Sequence, residues 1–133
     1  MAALDSLISI GSPGTRDWVV REGDNVQLNF VVKLNGSAVD LTGVTGTCSI
    51  RLDYTSTSDL VAGTVSFPTP ASGTVRVSLT AANTTTLAAS VPASTDASQR
   101  LVTIAVYDVE LQDGTNQLTI LGGTVSLSRE VTP

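Results

Sequence analysis

The stretch Val26-Gln-Leu-Asn-Phe-Val-Val32 decides the fold class of this chain. Its apolar residues at positions 26, 28, 30 and 32 share one face, with Gln27, Asn29 and Lys33 among the residues opposite. A period of two predicts a strand with one buried face. The Asn35-Gly36 pair that follows is typical of a tight β-hairpin.

The composition extends this interpretation to the whole chain. Thr, Ser, Val and Gly together make up 62 of the 133 residues. Thr and Val suit a pleated surface and Gly and Ser suit turns, whereas the strong helix formers Glu, Lys, Met and Gln are scarce. At 13.7 kDa the chain is long enough for one hydrophobic core. We therefore expect a single all-β domain.

Further strand patterns follow at spacings near ten residues. They lie at Val44–Asp53, Val61–Phe67, Gly73–Leu79, Arg100–Leu111, Gln117–Leu121 and Thr124–Val131. The Arg100–Leu111 strand is apolar on both faces near its middle, which is typical of a central strand covered on both sides or of one that meets a partner. Gly122-Gly123 predicts a bulge or kink between the last two strands. Seven to eight short strands of this kind predict an immunoglobulin-like β-sandwich over residues 17–133, preceded by an extended N-terminal arm over residues 1–16.

Two smaller features complete the pattern. Thr80 to Ala89 is the one plausible helix, with Thr80 as its N-cap and a length of one or two turns. Cys48 falls in register with the buried positions of its strand, and we expect a small buried hydrophobe there rather than a reactive thiol.

Composition also excludes several function classes. Histidine is absent, which excludes histidine-dependent catalysis and His-ligated zinc, and the single cysteine excludes an internal disulfide. The net charge of −5 repels phosphate, so we expect no nucleic-acid binding. No apolar run reaches the ~20 residues that span a bilayer, and the N-terminus has no basic region of the kind that begins a signal peptide. We expect no enzyme, no cofactor and no bound metal.

The polar segments have structural interpretations. The cluster Asp108 to Asn116 predicts a hairpin turn at Asp113-Gly114, with a calcium site as the alternative. Arg16-Asp17 and Arg21 to Asp24 are expected to form local ion pairs in turns, with charges that lock subunits together as the alternative.

An ordered set of motifs resembles a known group of proteins. The motifs are Arg21-Glu-Gly-Asp24, Val39-Asp-Leu-Thr-Gly43, Ser49-Ile-Arg51, Val75-Arg-Val-Ser-Leu-Thr80, Thr84 to Leu87, Tyr107-Asp-Val-Glu-Leu111, Gly122-Gly-Thr-Val125 and Glu130-Val-Thr132. In this order they resemble the small immunoglobulin-like β-sandwich proteins of tailed bacteriophages, including the N-terminal domain family of baseplate upper proteins. The resemblance covers about residues 17 to 132.

The resemblance implies a structural protein of the virion. The sequence departs from the baseplate pattern in its longer Val91 to Gln99 loop and in ending at Pro133. These departures favour a capsid decoration (cement) protein on the outer head surface, with a tail, baseplate or fibre adaptor that contacts the host as the alternative. The implied partners are the major capsid protein or other virion proteins and further copies of this chain, with a trimer favoured.

Candidate contact residues are apolar residues outside the core pattern and the small-residue loop. They are Leu4, Leu7, Ile8 and Ile10 in the arm, Trp18 at its junction with the domain, and Val91, Pro92 and Gln99 in the loop. For Trp18 a core position and an interface position are both open, because tryptophan favours either.

Overall fold

The computed structural model of the protein describes residue 4, residues 14–90 and residues 101–129. Strands dominate these ranges. They are β1 (Gly14–Thr15), β2 (Trp18–Arg21), β3 (Val26–Val31), β4 (Lys33–Leu34), β5 (Ser37–Ala38), β6 (Thr45–Arg51), β7 (Val61–Ser66), β8 (Thr74–Leu79), β9 (Leu101–Gln112) and β10 (Gln117–Ser128). A 3-10 turn (Pro70–Ser72) and one α-helix, α1 (Ala81–Ala89), complete the described elements. The predicted all-β class is confirmed.

The main sheet curls into two layers. Its strand order is β1-β10-β9-β6-β7-β8-β3, and β2 continues from β1 along the same edge of β10. β7 causes the curl, because residues 61–63 pair with β6 whereas residues 64–66 pair with β8. β6, β7 and β8 are successive neighbours in the sheet, and β9 then returns to pair with β6, as in a Greek key. β3 pairs with the other side of β8. The protein is an immunoglobulin-like β-sandwich.

The core lies between the two layers, and the alternation along β3 matches it. Leu28 is buried and Val26 and Phe30 pack partly buried against it, while Gln27 and Asn29 face solvent. β6 contributes Cys48 and Ile50 to the same core. It ends at Arg51, so Leu52, which falls within the predicted Val44–Asp53 strand, lies outside the observed strand and is exposed.

Two bulges explain the pattern of the β9–β10 hairpin. Ser126 pairs with Thr103 and Val125 pairs with Ala105, which leaves Ile104 as an extra residue in β9. Up to this extra residue the buried positions of β9 are even-numbered, and beyond it they are odd-numbered. Ile104 and Ala105 are therefore both buried, although they are adjacent. The central apolar run of β9 therefore reflects a change of phase within one buried face.

The predicted bulge at Gly122-Gly123 is wrong. These glycines pair without interruption with Asp108 and Tyr107, and the second bulge lies at Ile120 instead. β10 is consequently one continuous strand of 12 residues where the sequence pattern predicts two. The glycines serve a different purpose, which is the close approach of the N-terminal segment described below.

The local signals of the helix and turns are confirmed. Thr80 is the N-cap of α1, with its hydroxyl accepting a hydrogen bond from the backbone N–H of Asn83. The helix is a little longer than predicted because Thr84 and Leu87 bury one side of it. In the β4–β5 hairpin Asn35 and Gly36 both have positive φ, at 52° and 83°, as the tight turn requires.

The predicted arm is described only in part. Residues 1–3 and 5–13 lie outside the described residues, whereas Leu4 is fully buried and Gly14–Thr15 form β1. The last residues of the arm thus belong to the sheet. In the described part of the chain, α1 is too short to cross a membrane.

Candidate contact surfaces

The N-terminal segment runs parallel to β10 in an unbroken register. Gly14 pairs with Leu121 and Trp18 pairs with Val125, and the backbone N–H of Arg16 between them donates to the carbonyl of Gly122 at 2.9 Å. This arrangement closes one edge of the sheet. The backbone groups of β10 on that side are therefore not open to another strand along this register.

Gly123 permits this close packing. A Cβ atom at position 123 would lie 2.2 Å from the carbonyl oxygen of Arg16, far inside any real contact. The side chain of Arg16 reaches the other layer, where its guanidinium donates to the Asn29 carbonyl at 3.0 Å. The hydroxyl of Thr124 donates to the Asp17 carboxylate at 2.7 Å. Arg16 and Asp17 thus bond to other strands rather than forming the predicted local ion pair.

Trp18 belongs to the core of the isolated chain. Its ring meets that of Tyr107 edge to face, with centroids 5.6 Å apart and an angle of 68° between the planes. Only 3% of Trp18 is exposed. The Tyr107 hydroxyl donates to the Arg16 carbonyl at 2.6 Å, and burial raises the pKa of Tyr107 to about 12. Of the two positions open for Trp18, the core is the one observed, and a contact between Trp18 and a partner stays a prediction.

Leu4 is also inside the molecule. It belongs to the hydrophobic core, and its backbone N–H donates to the Asp113 carboxylate at 2.8 Å in the β9–β10 turn. The same carboxylate accepts from the backbone N–H groups of Thr115 and Asn116. These bonds, that of Asn116 foremost, lower the pKa of Asp113 to about 2. The predicted hairpin turn is confirmed, and its Asp113 carboxylate also accepts from Leu4.

The remaining predicted contact residues lie outside the described residues. They are Leu7, Ile8, Ile10, Val91, Pro92 and Gln99. Leu101, which follows the predicted contact loop, is described and is 55% exposed. Leu101 belongs to a surface that the sequence pattern did not predict.

This surface, here called the β2–β9 strip, is the outer face of three adjacent strands. It consists of Val19 and Arg21 on β2, Ser126 and Ser128 on β10, and Leu101 and Thr103 on β9. Val19 is 51% exposed and lies two strands from Leu101 with an offset of two residues, about 12 Å between their Cα atoms. Ser126 and Ser128, on the strand between them, are buried, and the Ser126 and Thr103 hydroxyls lie 3.1 Å apart. The alternation Trp18-Val19-Val20 already places Val19 opposite the core, and this signal could have found it.

A second surface is the loop of residues 52–59 between β6 and β7. The Arg51 guanidinium binds the Asp59 carboxylate at 2.8 Å and donates to the Ser56 carbonyl at 3.2 Å. This one side chain therefore links two residues of the loop to the end of β6. The Ser49 hydroxyl donates to the other Asp59 oxygen at 3.3 Å. The end of the loop is therefore fixed to the outer face of β6.

The start of the same loop is ordered by one carboxylate. Asp53 Oδ1 accepts from the backbone N–H of Thr55 at 2.9 Å and from the hydroxyls of Thr55 and Ser56. These bonds hold the pKa of Asp53 below its usual value. Leu52 and Tyr54 flank this carboxylate and are 50% and 80% exposed. The loop thus presents a leucine and a tyrosine to solvent from a hydrogen-bonded turn.

A row of carboxylates continues from this loop across β9. Asp108 pairs in register with Ser49, whose hydroxyl binds Asp59, and Glu110 follows two residues along the same face. The Gln117 side-chain amide donates to Glu110. Partial burial, then the charge of Glu110 and more weakly that of Asp59, raise the pKa of Asp108. We call Asp59, Asp108 and Glu110 the acidic row.

The described residues contain no group of three or more His, Cys, Asp or Glu side chains arranged to hold a metal ion. Cys48 is buried as predicted, with 1% exposure, and burial raises its pKa to about 12. The thiol therefore lies in the core in its protonated form.

Comparison with known proteins gives a likeness of fold. No protein-family profile matches the chain, and no curated protein matches it. Among solved structures, the chain is similar to an immunoglobulin domain in the ZIG-8–RIG-5 IG1–IG1 heterodimer. The two share 12% sequence identity over 90% of this chain and 84% of that chain, with a TM-score of 0.32. The likeness concerns the backbone fold.

Proposed function

We propose that this chain is a non-enzymatic structural protein of a tailed-bacteriophage virion. Its role is that of a capsid decoration protein, which stabilises the head shell through contacts with the major capsid protein and with further copies of itself. The observation that carries the proposal is the exposure of Val19 and Leu101 on the β2–β9 strip. Two half-exposed apolar side chains on one face of the sheet provide contact area beyond that used for the protein's own core.

The placement of the chemically active groups supports a structural role. The Tyr107 hydroxyl binds the Arg16 carbonyl, and the Cys48 thiol is buried. The hydroxyls of Thr84, Thr85 and Thr86 donate to carbonyls of the first turn of α1. These groups stabilise the fold through bonds to the backbone or burial. The ordered motifs of the sequence support the assignment to the phage proteins.

A decoration protein works by mass action. If it binds the assembled shell and not the free capsid subunits, each bound copy lowers the free energy of the assembled state relative to the separated subunits. The β2–β9 strip suits such binding because its strands are fixed by the parallel pairing of β2 with β10, so little ordering accompanies contact. The predicted trimer would multiply the strip around one axis.

Immunogold electron microscopy of purified virions of the phage that encodes this chain tests the proposal. Antibody against the chain is expected to label the head surface evenly. Label confined to the tail end would support the alternative, a tail, baseplate or fibre adaptor. Intact particles without label, in a preparation where an antibody against a known surface protein binds, would contradict an exposed position on the virion.

The surface itself is tested with the double variant Val19→Glu, Leu101→Glu. It is expected to leave the fold intact and to lower the number of copies on virions, because two charges would be desolvated at the contact. The control is Val31→Glu, which places one charge on a valine of β3 that is 45% exposed. Equal occupancy of the double variant and the control would exclude the strip as the contact surface.

A further inference from the structure

β3 lies at one end of the sheet. β8 pairs with one side of it, and along the described ranges no strand pairs with its other side. Successive residues of a strand direct their backbone N–H and C=O groups to opposite sides. The N–H of Val32 donates to the Gly73 carbonyl at 2.8 Å, in continuation of the β8 register. The even-numbered residues therefore bond to β8, and the backbone groups of Gln27, Asn29 and Val31 point outward.

The side chain of Arg16 reaches this outer edge. Its guanidinium donates to the Asn29 carbonyl at 3.0 Å, and that carbonyl is one of the outward-pointing groups. A strand added to the edge would place one of its own backbone N–H groups against the same carbonyl. The guanidinium thus occupies the position that an incoming strand needs.

The backbone of Arg16 is fixed to the other layer of the sandwich. Its N–H donates to the Gly122 carbonyl at 2.9 Å, and its carbonyl accepts from the Tyr107 hydroxyl at 2.6 Å. The side chain therefore starts from a fixed point when it extends to Asn29. Because the guanidinium is charged, its bond to the carbonyl is stronger than a bond between neutral groups.

The sequence of β3 is prone to pairing with another strand. Its six residues, Val-Gln-Leu-Asn-Phe-Val, are mostly apolar and contain neither a charged residue nor a proline. Natural edge strands often carry such residues, which oppose pairing with another chain. Two copies of this neutral strand can pair antiparallel without placing like charges opposite each other. The occupant that suits the edge is a second copy of β3.

We propose that Arg16 is a cap on the edge of β3, which prevents β3 of a second copy from adding to the sheet. The N-terminal segment then serves both layers, because it pairs with β10 through its backbone and caps β3 through one side chain. Removal of the guanidinium opens the edge to strand addition. This proposal does not depend on a role in the virion.

Hydrogen exchange of the wild-type chain, followed by NMR, tests whether the edge is open. The amides of Gln27, Asn29 and Val31 point away from β8 and are expected to exchange at least about tenfold faster than those of Leu28 and Phe30, because no ladder bond protects them. Equal protection of the two sets would mean that another segment already covers the edge, and it would overturn the proposal.

The variants Arg16→Ala and Arg16→Ser test the cap itself. The Arg16 side chain is exposed, so both variants are expected to fold, and native Trp18 emission verifies this. Sedimentation velocity over a range of concentrations is expected to show self-association at least about tenfold stronger than in the wild type, because an incoming strand no longer displaces a charge-assisted hydrogen bond. Folded variants that associate no more strongly than the wild type would overturn the proposal.

Second substitutions in Arg16→Ala locate the new contact. The pair Gln27→Lys and Val31→Lys places two charges on the edge strand and is expected to abolish the added association. The matched control is Thr64→Lys with Ser66→Lys, at two exposed positions of β7, which lies two strands from this edge. The control pair is expected to leave the association in place. Equal suppression by the two pairs would show a general effect of charge and would overturn the proposal.

Discussion

The hydroxyl group of Tyr107 donates a 2.6 Å hydrogen bond to the backbone carbonyl of Arg16, 91 residues earlier in the chain. The bond joins the middle of β9 to the segment between β1 and β2. The Arg16 backbone that accepts this bond lies against Gly123, where a Cβ atom would overlap the Arg16 carbonyl oxygen. The edge-to-face contact of Trp18 with the same tyrosine ring completes the attachment of this segment to the sheet.

Tyr107→Phe is expected to destabilise the fold by about 1 to 2 kcal/mol, because it removes the hydroxyl that donates to the Arg16 carbonyl while keeping the ring. Urea unfolding followed by the fluorescence of the single tryptophan measures the change. The matched control is Tyr54→Phe, whose ring is exposed and whose loss of a hydroxyl should leave the unfolding midpoint unchanged. Equal midpoints for the two variants would show that the Tyr107 bond contributes nothing net.

Gly123→Ala is expected to cost about 3 kcal/mol, because the new methyl group would overlap a backbone atom that cannot rotate away. The segment before β2 would have to leave β10, and the Trp18 emission should shift to longer wavelength as its ring becomes exposed. Gly14→Ala is the control, since a Cβ there meets its nearest atoms at an ordinary 3.5 Å. It is expected to change stability by less than about 0.5 kcal/mol. A Gly123→Ala protein as stable as this control would contradict the close approach.

Acid should weaken the fold through Asp113. Its folded pKa of about 2 lies below the value of an unfolded aspartate, so its contribution is complete above about pH 4 and is lost as the pH falls toward 2. Asp113→Asn keeps an oxygen acceptor but cannot titrate, so its urea midpoint should decline less than that of the wild type as the pH falls from about 4 to about 2. Parallel pH profiles of the two proteins would show that the turn carboxylate does not contribute to the acid sensitivity.

Cys48 should react with a thiol reagent only after unfolding. Its folded pKa of about 12 makes the thiolate about a thousandfold rarer than in an exposed cysteine at the same pH, and burial blocks access. Reaction with Ellman's reagent in native buffer and in guanidinium chloride measures the protection. Rapid labelling of the native protein would contradict the core position of Cys48.

Features that depend on neighbouring residues in the chain could be predicted well. The alternation along Val26–Val31, the Asn35-Gly36 turn and the Thr80 cap depend on backbone preferences and side-chain spacing within a few residues. The burial of Cys48 follows from the same period of two. Each is a local rule, and the tertiary structure agrees with it.

Features that depend on pairing between distant residues could not be predicted. The bulge at Ile104 appears in the sequence as an apolar run, and its effect is visible only once β9 is paired with β10. Gly122-Gly123 predicts a break in the strand, because the sequence does not show that Arg16 would pass beside it. For the candidate surfaces, Val19 has a sequence signal in its alternation with Trp18, whereas the acidic row depends on β6 and β9 being neighbours.

The sequence alone determined that this chain is an all-β sandwich, since composition, alternation and turn residues all favour short strands. Only the tertiary structure decided that the N-terminal segment pairs with β10, that Trp18 lies in the core, and that Val19, Leu101 and Tyr54 are exposed. The physical reason is the range of the interactions. The period of two along a strand shows which of its residues share a face. The element that covers that face depends on contacts between residues far apart in the chain.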